Sequence, residues 1–336
     1  MNEMKKILAL MLVLSMAFCF AACSSNKETD KTDSADASST TEDVKYSVGI
    51  CQLVQHEALD AATKGFKEAL VEKLGDKVEF DEQNASGETA NCTTIVSKFV
   101  SDKVDLIMAN ATPALTAAAQ ATNEIPIVAT SITDFATALD IDDWTGVTDC
   151  NVTGTADLAP LKEQANMVKE LCPDAKTVGL LFCSAEANSK YQIDIVAKEL
   201  ADLGYTTKEF SFVDTNDVTA VTQQAAEECD VIYAPTDNTV ASNGEAINNV
   251  LEPANIPLIA GEEGICKACG VATLSISYYD IGYKAGEMAY EILVNGADPA
   301  TTEIAYSDTT TKKYMADRAD ALKIEIPETY EAIVVE

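Results

Sequence analysis

The chain has 336 residues, of which 55 are acidic and 23 are lysine or arginine, and its formal net charge is −32. A surface this acidic repels phosphate, so the composition argues against nucleic acid as a partner. The part of the chain that follows an atypical N-terminal stretch is long enough for two lobes.

That N-terminal stretch is typical of a bacterial signal peptide. Two lysines precede an almost wholly apolar run from Ile7 to Phe20, which is shorter than the roughly 20 residues of a membrane-spanning helix. The run Phe20-Ala-Ala-Cys23 then resembles a lipobox, the signal for cleavage before a lipid-modified cysteine. We therefore predict that residues 1–22 are removed and that Cys23 carries a lipid. An ordinary secretory peptide, in which Cys23 is incidental, is the alternative.

The next stretch, residues 23–44, consists mainly of Ser, Thr, Asp, Lys and Glu, with no large apolar residue before Val44. Such a segment cannot bury apolar surface, which predicts a flexible tether. Together with a lipid on Cys23, it would hold a folded domain at the extracellular face of the cell membrane.

From residue 46 onward, strand-like and helix-like segments alternate. The predicted strands are Tyr46–Val54, Val78–Phe80, Val104–Met108 and Ile127–Thr130, and the predicted helices are Glu57–Leu74, Thr89–Ser101 and Pro113–Ala121. This alternation predicts right-handed crossovers and a parallel sheet. The quieter stretch from Val147 to Thr155 is interpreted as the first passage between two lobes.

The pattern then starts again. The predicted helices are Asp157–Leu171, Ala187–Leu203, Val218–Glu228 and Asn238–Leu251, with strands Thr177–Cys183, Thr206–Phe210, Val231–Ala234 and Ile256–Ala260. The last predicted elements are the strand Ala272–Ser277, the helix Tyr278–Leu293, a strand-like Glu303–Tyr306 and the helix Ala316–Leu322. Similar motifs begin at Asp105 and at Asp230, each leading to a polar cluster and a helix. The sequence therefore predicts an α/β protein of two similar, doubly wound lobes.

Eight cysteines fall in the predicted lobes, mostly within apolar runs, and we interpret them as buried thiols. Cys266 and Cys269 form a C-x-x-C pair, but no second pair lies at zinc-finger spacing, and His56 is the chain's single histidine. The pair is expected to be a local disulfide or two free thiols, with a redox enzyme as the alternative. We predict no metal and no cofactor.

Small polar side chains follow the predicted strands. If two lobes face each other, these side chains line one cleft, because ligands bind beyond the carboxyl ends of parallel strands. The predicted ligand-binding residues are Gln52, His56, Thr112, Ser131, Thr133, Asp134, Ser184, Glu186, Asn188, Thr236, Asp237, Asn238 and Glu262.

The chemistry of this set favours an α-amino acid. Hydroxyls such as those of Thr112, Ser131 and Ser184 can hold a carboxylate beside helix N-termini. The acidic members supply more negative charge than a carboxylate ligand alone tolerates, which indicates a cationic group as well. Any one of these residues could instead be an ordinary helix cap. No nucleophile–base pair or glycine-rich phosphate loop is present, so an enzyme is not expected.

Several runs in order resemble the substrate-binding lipoproteins of ABC transporters, specifically the tryptophan/aromatic-amino-acid (TrpX-like) group. The runs are His56–Glu68, Phe99–Ile107, Ala111–Ala114, Ser184–Ser189, Pro235–Ser242 and Ala272–Asp280. The resemblance implies a type I periplasmic-binding-protein fold with three crossovers, in which 45–153 plus 277–305 form one lobe and 154–276 plus 306–336 the other. It also implies a monomer that delivers an aromatic amino acid to a permease and its ATPase.

The chain departs from this group at Gly261-Glu262-Glu263-Gly264, where many relatives carry Ser-Asp-Thr-Gly, which puts the size of the ligand in doubt. The absence of an arginine from the predicted cleft argues against a guanidinium clamp for the ligand carboxylate. A receptor for a sensor kinase, or a binding protein for a sugar or nucleoside, are the alternatives.

Overall fold

The computed structural model describes residues 45–307 and 309–334. The predicted signal peptide, the predicted lipid attachment at Cys23 and the predicted tether lie outside these residues. None of the helices within the described ranges is both long enough and apolar enough to cross a membrane.

The first lobe is built on a five-stranded parallel sheet in the order β2-β1-β3-β4-β5. Every residue of β3, β4 and β5 is buried, as expected for strands that are covered on both faces. The strands are β1 Tyr46–Gln52, β2 Val78–Asn84, β3 Leu106–Asn110, β4 Ile127–Ile132 and β5 Val152–Ala156, and the helices are α1 Glu57–Leu74, α2 Thr89–Asp102, α3 Thr112–Ala121 and α4 Phe135–Leu139.

The second lobe is built on a seven-stranded sheet in the order β12-β11-β10-β9-β8-β6-β7, in which only the β10–β11 pair is antiparallel. Its strands are β6 Thr177–Cys183, β7 Thr206–Phe212, β8 Val231–Ala234, β9 Leu258–Ala260, β10 Ala272–Ser275, β11 Thr311–Tyr314 and β12 Glu331–Ala332. The helices are α5 Leu161–Leu171, α6 Ala187–Asp202, α7 Val218–Glu228, α8 Asn238–Ser242, α9 Gly244–Ala254, α10 Glu263–Cys269, α11 Tyr278–Asn295 and α12 Ala316–Leu322. Short 3₁₀ segments lie at Gly75–Lys77, Thr215–Asp217 and Pro299–Thr301.

The two sheets share one topology. The order β7-β6-β8-β9-β10 in the second sheet repeats the order β2-β1-β3-β4-β5 of the first, and both are the doubly wound 2-1-3-4-5 arrangement. This repetition confirms the predicted fold class of two similar parallel α/β lobes.

Helix α11 follows the last parallel strand of the second lobe but packs on the first. Its Ala285, Ala289 and Ile292 share one apolar cluster with Phe66 and Leu70 of α1. The chain therefore crosses between the lobes three times. The first crossover follows β5 and the second joins β10 to α11. The third lies between Ala305, which forms a β-bridge with Thr155 of the first lobe, and β11 of the second.

Close packing between α1 and α11 depends on glycine. A Cβ atom at Gly282 would lie 2.0 Å from the carbonyl oxygen of Ala62, and one at Gly65 would lie 2.2 Å from that of Tyr279. Both helix axes can approach this closely only because neither position carries a side chain. The N-termini of the two helices are held side by side as a result.

The interpretation of Val147–Thr155 as a passage between lobes is wrong, because β5 occupies Val152–Ala156 and pairs with β4. The predicted lobe boundary between residues 153 and 154 therefore falls inside a strand. The strand was missed because Thr and Gly interrupt its apolar run. Glycine is required at position 154, because a Cβ atom there would lie 1.9 Å from the carbonyl oxygen of Ala129.

Other differences concern short elements. The predicted helix Asn238–Leu251 is divided into α8 and α9 at Asn243. Of the strand-like Glu303–Tyr306, only Ala305 forms a β-bridge. The elements α4, α10, β11 and β12 were not predicted, since each has seven residues or fewer and shows no clear apolar period.

Candidate functional site

A small polar cavity of about 10 Å³ lies between the two lobes, close to the carboxyl ends of both sheets. This volume is far below the roughly 300–1,000 Å³ of most ligand pockets. The residues that line this interlobe cavity are His56, Leu59, Ser131, Thr133, Asp157, Asn188, Thr236, Asp237, Asn238, Ala241, Glu262 and Tyr278. Eight of the 13 residues predicted to bind ligand are among them.

His56 connects the lobes at one side of the interlobe cavity. It precedes α1, and its Nε2 atom lies 3.2 Å from Oδ1 of Asn238 on the other lobe. Asn238 is oriented by donating from Nδ2 to Glu186 at 2.6 Å, so its oxygen faces the histidine and Nε2 carries the proton. Burial lowers the pKa of His56, which keeps the ring neutral. Its Nδ1 is therefore a hydrogen-bond acceptor, and it has no partner.

Two further polar atoms in the interlobe cavity lack a partner. Ser131 lies in an irregular part of β4, where the pairing with β5 shifts register, and its φ of 58° is in the left-handed region. The Oγ of Ser131 and the Oδ1 of Asn188 are buried and unpaired. Within the described residues, five buried side-chain polar atoms have no partner, and three of them belong to this cavity. Because such atoms are costly to bury, their concentration indicates a ligand that would pair with them.

Asp157 is a functional candidate that the sequence did not reveal. The residue is 3% exposed, and its carboxylate accepts hydrogen bonds from Thr133 Oγ1 at 3.1 Å and from Tyr278 OH at 2.8 Å. Burial raises the pKa of Asp157, and the two hydroxyl donors oppose that effect. Asp157 was placed at the start of a helix, but α5 begins only at Leu161, so the residue lies in the first crossover.

Asp237 and Glu262 line the interlobe cavity while capping helices of the second lobe. Asp237 accepts from the amides of Val240 at 2.8 Å and Cys183 at 2.7 Å. Glu262 accepts from the amides of Gly264 at 2.7 Å and Ile265. Burial raises the pKa of Asp237 to about 8 and that of Glu262 to about 7, against the lowering effect of these amides. The capping role, which the sequence left open, is present at both positions.

Glu186 does not line the interlobe cavity but holds one of its walls. Its oxygens accept from the backbone amides of Asn238 and Thr239 at 3.1 and 2.9 Å and from both side chains. Glu186 thereby fixes the start of α8 and the orientation of Asn238, which contacts His56.

The other four predicted site residues form hydrogen bonds within their own lobes and do not line the interlobe cavity. Gln52 bonds to Val54, Asp60 and Thr63; Thr112 accepts from Thr116; Asp134 caps α4 through Thr137; and Ser184 donates to the carbonyl of Phe212. Thr112, Asp134 and Ser184 follow strands, as predicted, whereas Gln52 is the last residue of β1.

Three more lining residues were missed. Leu59 and Ala241 supply apolar surface, and Tyr278 begins α11 directly after the second crossover. Helical periodicity placed Leu59 on the apolar face of its helix, but that position does not reveal whether the side chain faces its own lobe or the other one. Tyr278 could not be assigned because the crossover brings it to Asp157 from 121 residues away.

None of the described residues that line the interlobe cavity is a lysine or an arginine. Arg318, the chain's single arginine, donates to the carbonyls of Cys266, Lys267, Ala268 and Gly270 at the C-terminus of α10. A larger adjoining groove of about 250 Å³ does contain Lys313, but this lysine is paired with Glu263 at 2.6 Å. That groove contributes none of the buried unpaired atoms of the described residues, so the smaller cavity is the better candidate.

Contacts across the cavity mouth show that the lobes are closed on each other. Besides the contact between His56 and Asn238, Lys267 on the second lobe forms an ion pair with Glu57 on the first. This closure of the lobes also explains why the interlobe cavity is small.

The eight described cysteines are unpaired thiols. Cys266 and Cys269 lie in α10, where burial raises the pKa of Cys269 to about 12 and also raises that of Cys266. Thiols so far from ionisation are poor nucleophiles and redox groups. Among the residues that the structure describes, no group of three His, Cys, Asp or Glu side chains is arranged to hold a metal ion.

Comparisons with known proteins agree with this arrangement. A tyrosine-binding protein of Clostridioides difficile is 36% identical over 93% of both chains. A Streptococcus pneumoniae ABC domain in complex with L-Trp is 29% identical, covers 86% of this chain and 100% of its own, and has a TM-score of 0.82. The ligand-free, open structure of a substrate-binding protein with adhesive properties from Clostridium difficile is 35% identical, with coverages of 87% and 100% and a TM-score of 0.66.

The family model described as ABC transporter substrate binding protein matches residues 47–335. More distant structures, including a Bacillus halodurans solute-binding protein with myo-inositol at 15% identity, share the fold alone. Because the family match extends from the first strand through the last, this chain belongs to the ABC transporter substrate-binding proteins, which bind solutes and are not enzymes.

Proposed function

We propose that this protein captures an aromatic amino acid between its lobes and delivers it to an ABC permease powered by a cytoplasmic ATPase. The observation that carries the proposal is the concentration of buried, unpaired polar atoms in the interlobe cavity, on His56, Ser131 and Asn188. These atoms come from both lobes, so a ligand that pairs with them is bound only when the lobes are closed.

The relatives support the choice of ligand. One is named for tyrosine and another holds L-Trp, and both match most of this chain. The L-Trp complex resembles this closed structure better than the open, ligand-free relative does, although its sequence identity is lower. That order is the one expected if the ligand-bound relative shares the lobe closure of this protein and the open relative does not.

The mechanism is a shift of population. The open form exposes the cavity, and ligand contacts that exist together only in the closed form favour closure. The closed surface is then the one that the permease would recognise.

The lipid on Cys23 and the tether of residues 23–44 would keep a monomeric receptor at the outer face of the membrane. Loss of metabolic lipid labelling in a Cys23→Ser variant is the expected result for this anchor.

Calorimetry and thermal-shift screening with tyrosine, tryptophan, phenylalanine, sugars and purine nucleosides test the proposed function. We expect binding of at least one aromatic amino acid, and mass spectrometry of the purified protein should find the same compound. Asn188→Ala should weaken binding more than tenfold, since a hydrogen bond in a desolvated site is lost. Ser184→Ala, which alters a residue outside the cavity, is the matched control. Stabilisation by sugars or nucleosides with amino acids inert would contradict the proposal.

A further inference from the structure

We propose that Asp157 binds the ammonium group of the ligand, and that the ligand carboxylate contributes so little that aromatic monoamines lacking it also bind. The inference rests on the proposed function and extends it to a second class of ligand. It depends on which groups of the interlobe cavity are free to pair, and with what.

The free atoms of the interlobe cavity are mainly acceptors. Nδ1 of His56 is an acceptor because Nε2 donates to Asn238. Oδ1 of Asn188 is an acceptor, and the amide is held in this orientation by Nδ2 contacts with Glu186 and the Thr236 carbonyl, each at 3.3 Å. Only Ser131 offers a free hydroxyl that can donate. An ammonium group has three donors and suits this set of side chains, whereas a carboxylate has only acceptors and meets one free side-chain donor.

The cavity carboxyls differ in the partners they already have. Both oxygens of Asp237 and of Glu262 already accept backbone amides, three of them at helix starts and one, that of Cys183, at the end of β6. The side chains that donate to the oxygens of Asp157 are the neutral hydroxyls of Thr133 and Tyr278. A carboxylate has about four lone-pair positions, so Asp157 retains acceptor capacity for a further donor. Burial disfavours the ionised form of Asp157, and an ammonium group beside it would restore that form, since none of the described residues that line the cavity is a lysine or arginine.

The position of Asp157 connects amine binding to closure. Asp157 lies in the first crossover, and Tyr278 follows the second. Thr133, the third member of this group, belongs to the first lobe. A cation bound at Asp157 therefore contacts the segments about which the lobes rotate, so amine recognition alone can favour the closed form.

Calorimetry at neutral pH with L-tyrosine, tyramine and 3-(4-hydroxyphenyl)propionate separates the two ends of the ligand, with tryptophan, tryptamine and indole-3-propionate as a second series. In at least one series, we expect the affinity for the amine to lie within about tenfold of the affinity for the amino acid. The acid that lacks an amine should bind more than about 30-fold more weakly than the amino acid, because the Asp157 carboxylate would stay buried without a cationic partner. Binding of the acid but not the amine would overturn the inference.

Asp157→Asn retains the shape of the side chain and an acceptor for the hydroxyls while removing the charge. We expect it to weaken both amine and amino acid by more than about 30-fold. Asp280→Asn, at an exposed position on α11, is the matched control and should bind normally. If the wild type binds amino acids but no amines, this inference fails and the proposed function stands. If it binds neither class, both fail. Unchanged binding by Asp157→Asn would also overturn the assignment.

Discussion

Burial raises the pKa of the carboxyls in the interlobe cavity, and this couples the stability of the empty protein to pH. Glu262 and Asp237 have pKa values of about 7 and about 8, so in the folded state they hold protons that the unfolded chain has already released. The unfolded state then binds fewer protons, and stability falls as pH rises through these values. His56 has the opposite effect, but only below its usual pKa of about 6.5.

We therefore predict that the free energy of unfolding of the ligand-free protein decreases between about pH 6.5 and about pH 8.5. Urea titrations across that range measure it. Carboxyls with a lowered pKa, such as Asp81, are ionised in both states by then and do not contribute. Asp237→Asn should make the decrease shallower, while the exposed Asp280→Asn should leave it unchanged. A stability that increases over this range would show that the cavity carboxyls are already ionised in the folded protein.

At the same scale, the sequence predicted residue types better than residue partners. Polar side chains after strands were identified, and His56, Asn188 and Asn238 do line the interlobe cavity. The pairing of His56 with Asn238 spans 182 residues and depends on how the lobes close, which no local pattern records. Asp157 and Tyr278 lie beside crossovers, so the rule that ligands bind at strand ends could not select them.

Among the structural elements, the pair formed by α1 and α11 is the one that positions the site. Its N-termini carry His56 and Tyr278, and its glycines allow the two helices to approach closely. Long elements such as α1 were predicted at their observed bounds because each has a continuous apolar face. The short elements β5 and α10 were not predicted, because neighbouring elements bury them and their sequences show no regular apolar period.

Gly282→Ala tests that helix pair. Alanine favours an isolated helix by about 0.5–1 kcal/mol over glycine, so propensity alone predicts stabilisation. Here the new Cβ would lie 2.0 Å from the carbonyl oxygen of Ala62, which forces α1 and α11 apart. We expect a net loss of about 1–3 kcal/mol in the free energy of unfolding, measured with urea, together with weaker ligand binding. Lys284→Ala, exposed on the same helix, is the control. Unchanged stability of Gly282→Ala would contradict tight packing between these helices.

Considered as a whole, the molecule is two copies of one topology that meet around a small polar cavity. Neither copy encloses a ligand alone, because the free polar atoms come from Ser131 and His56 on one lobe and Asn188 on the other. Closure must therefore be reversible and weakly held by direct contacts between the lobes, or the ligand could neither enter nor leave. An ion pair between Glu57 and Lys267 joins the two lobes, and both side chains are partly exposed.

Lys267→Gln should show how much this pair contributes to closure. An exposed ion pair contributes about 0.2–1 kcal/mol, so affinity for the ligand should fall by up to about fivefold at low salt. The difference from wild type should disappear at about 1 M salt, where the Debye length is about 3 Å. Lys208→Gln is the matched control, because Lys208 pairs with Glu228 inside the second lobe and should not affect closure. Calorimetry at both salt concentrations measures the effect, and a loss that persists at high salt would assign Lys267 a role other than electrostatic closure.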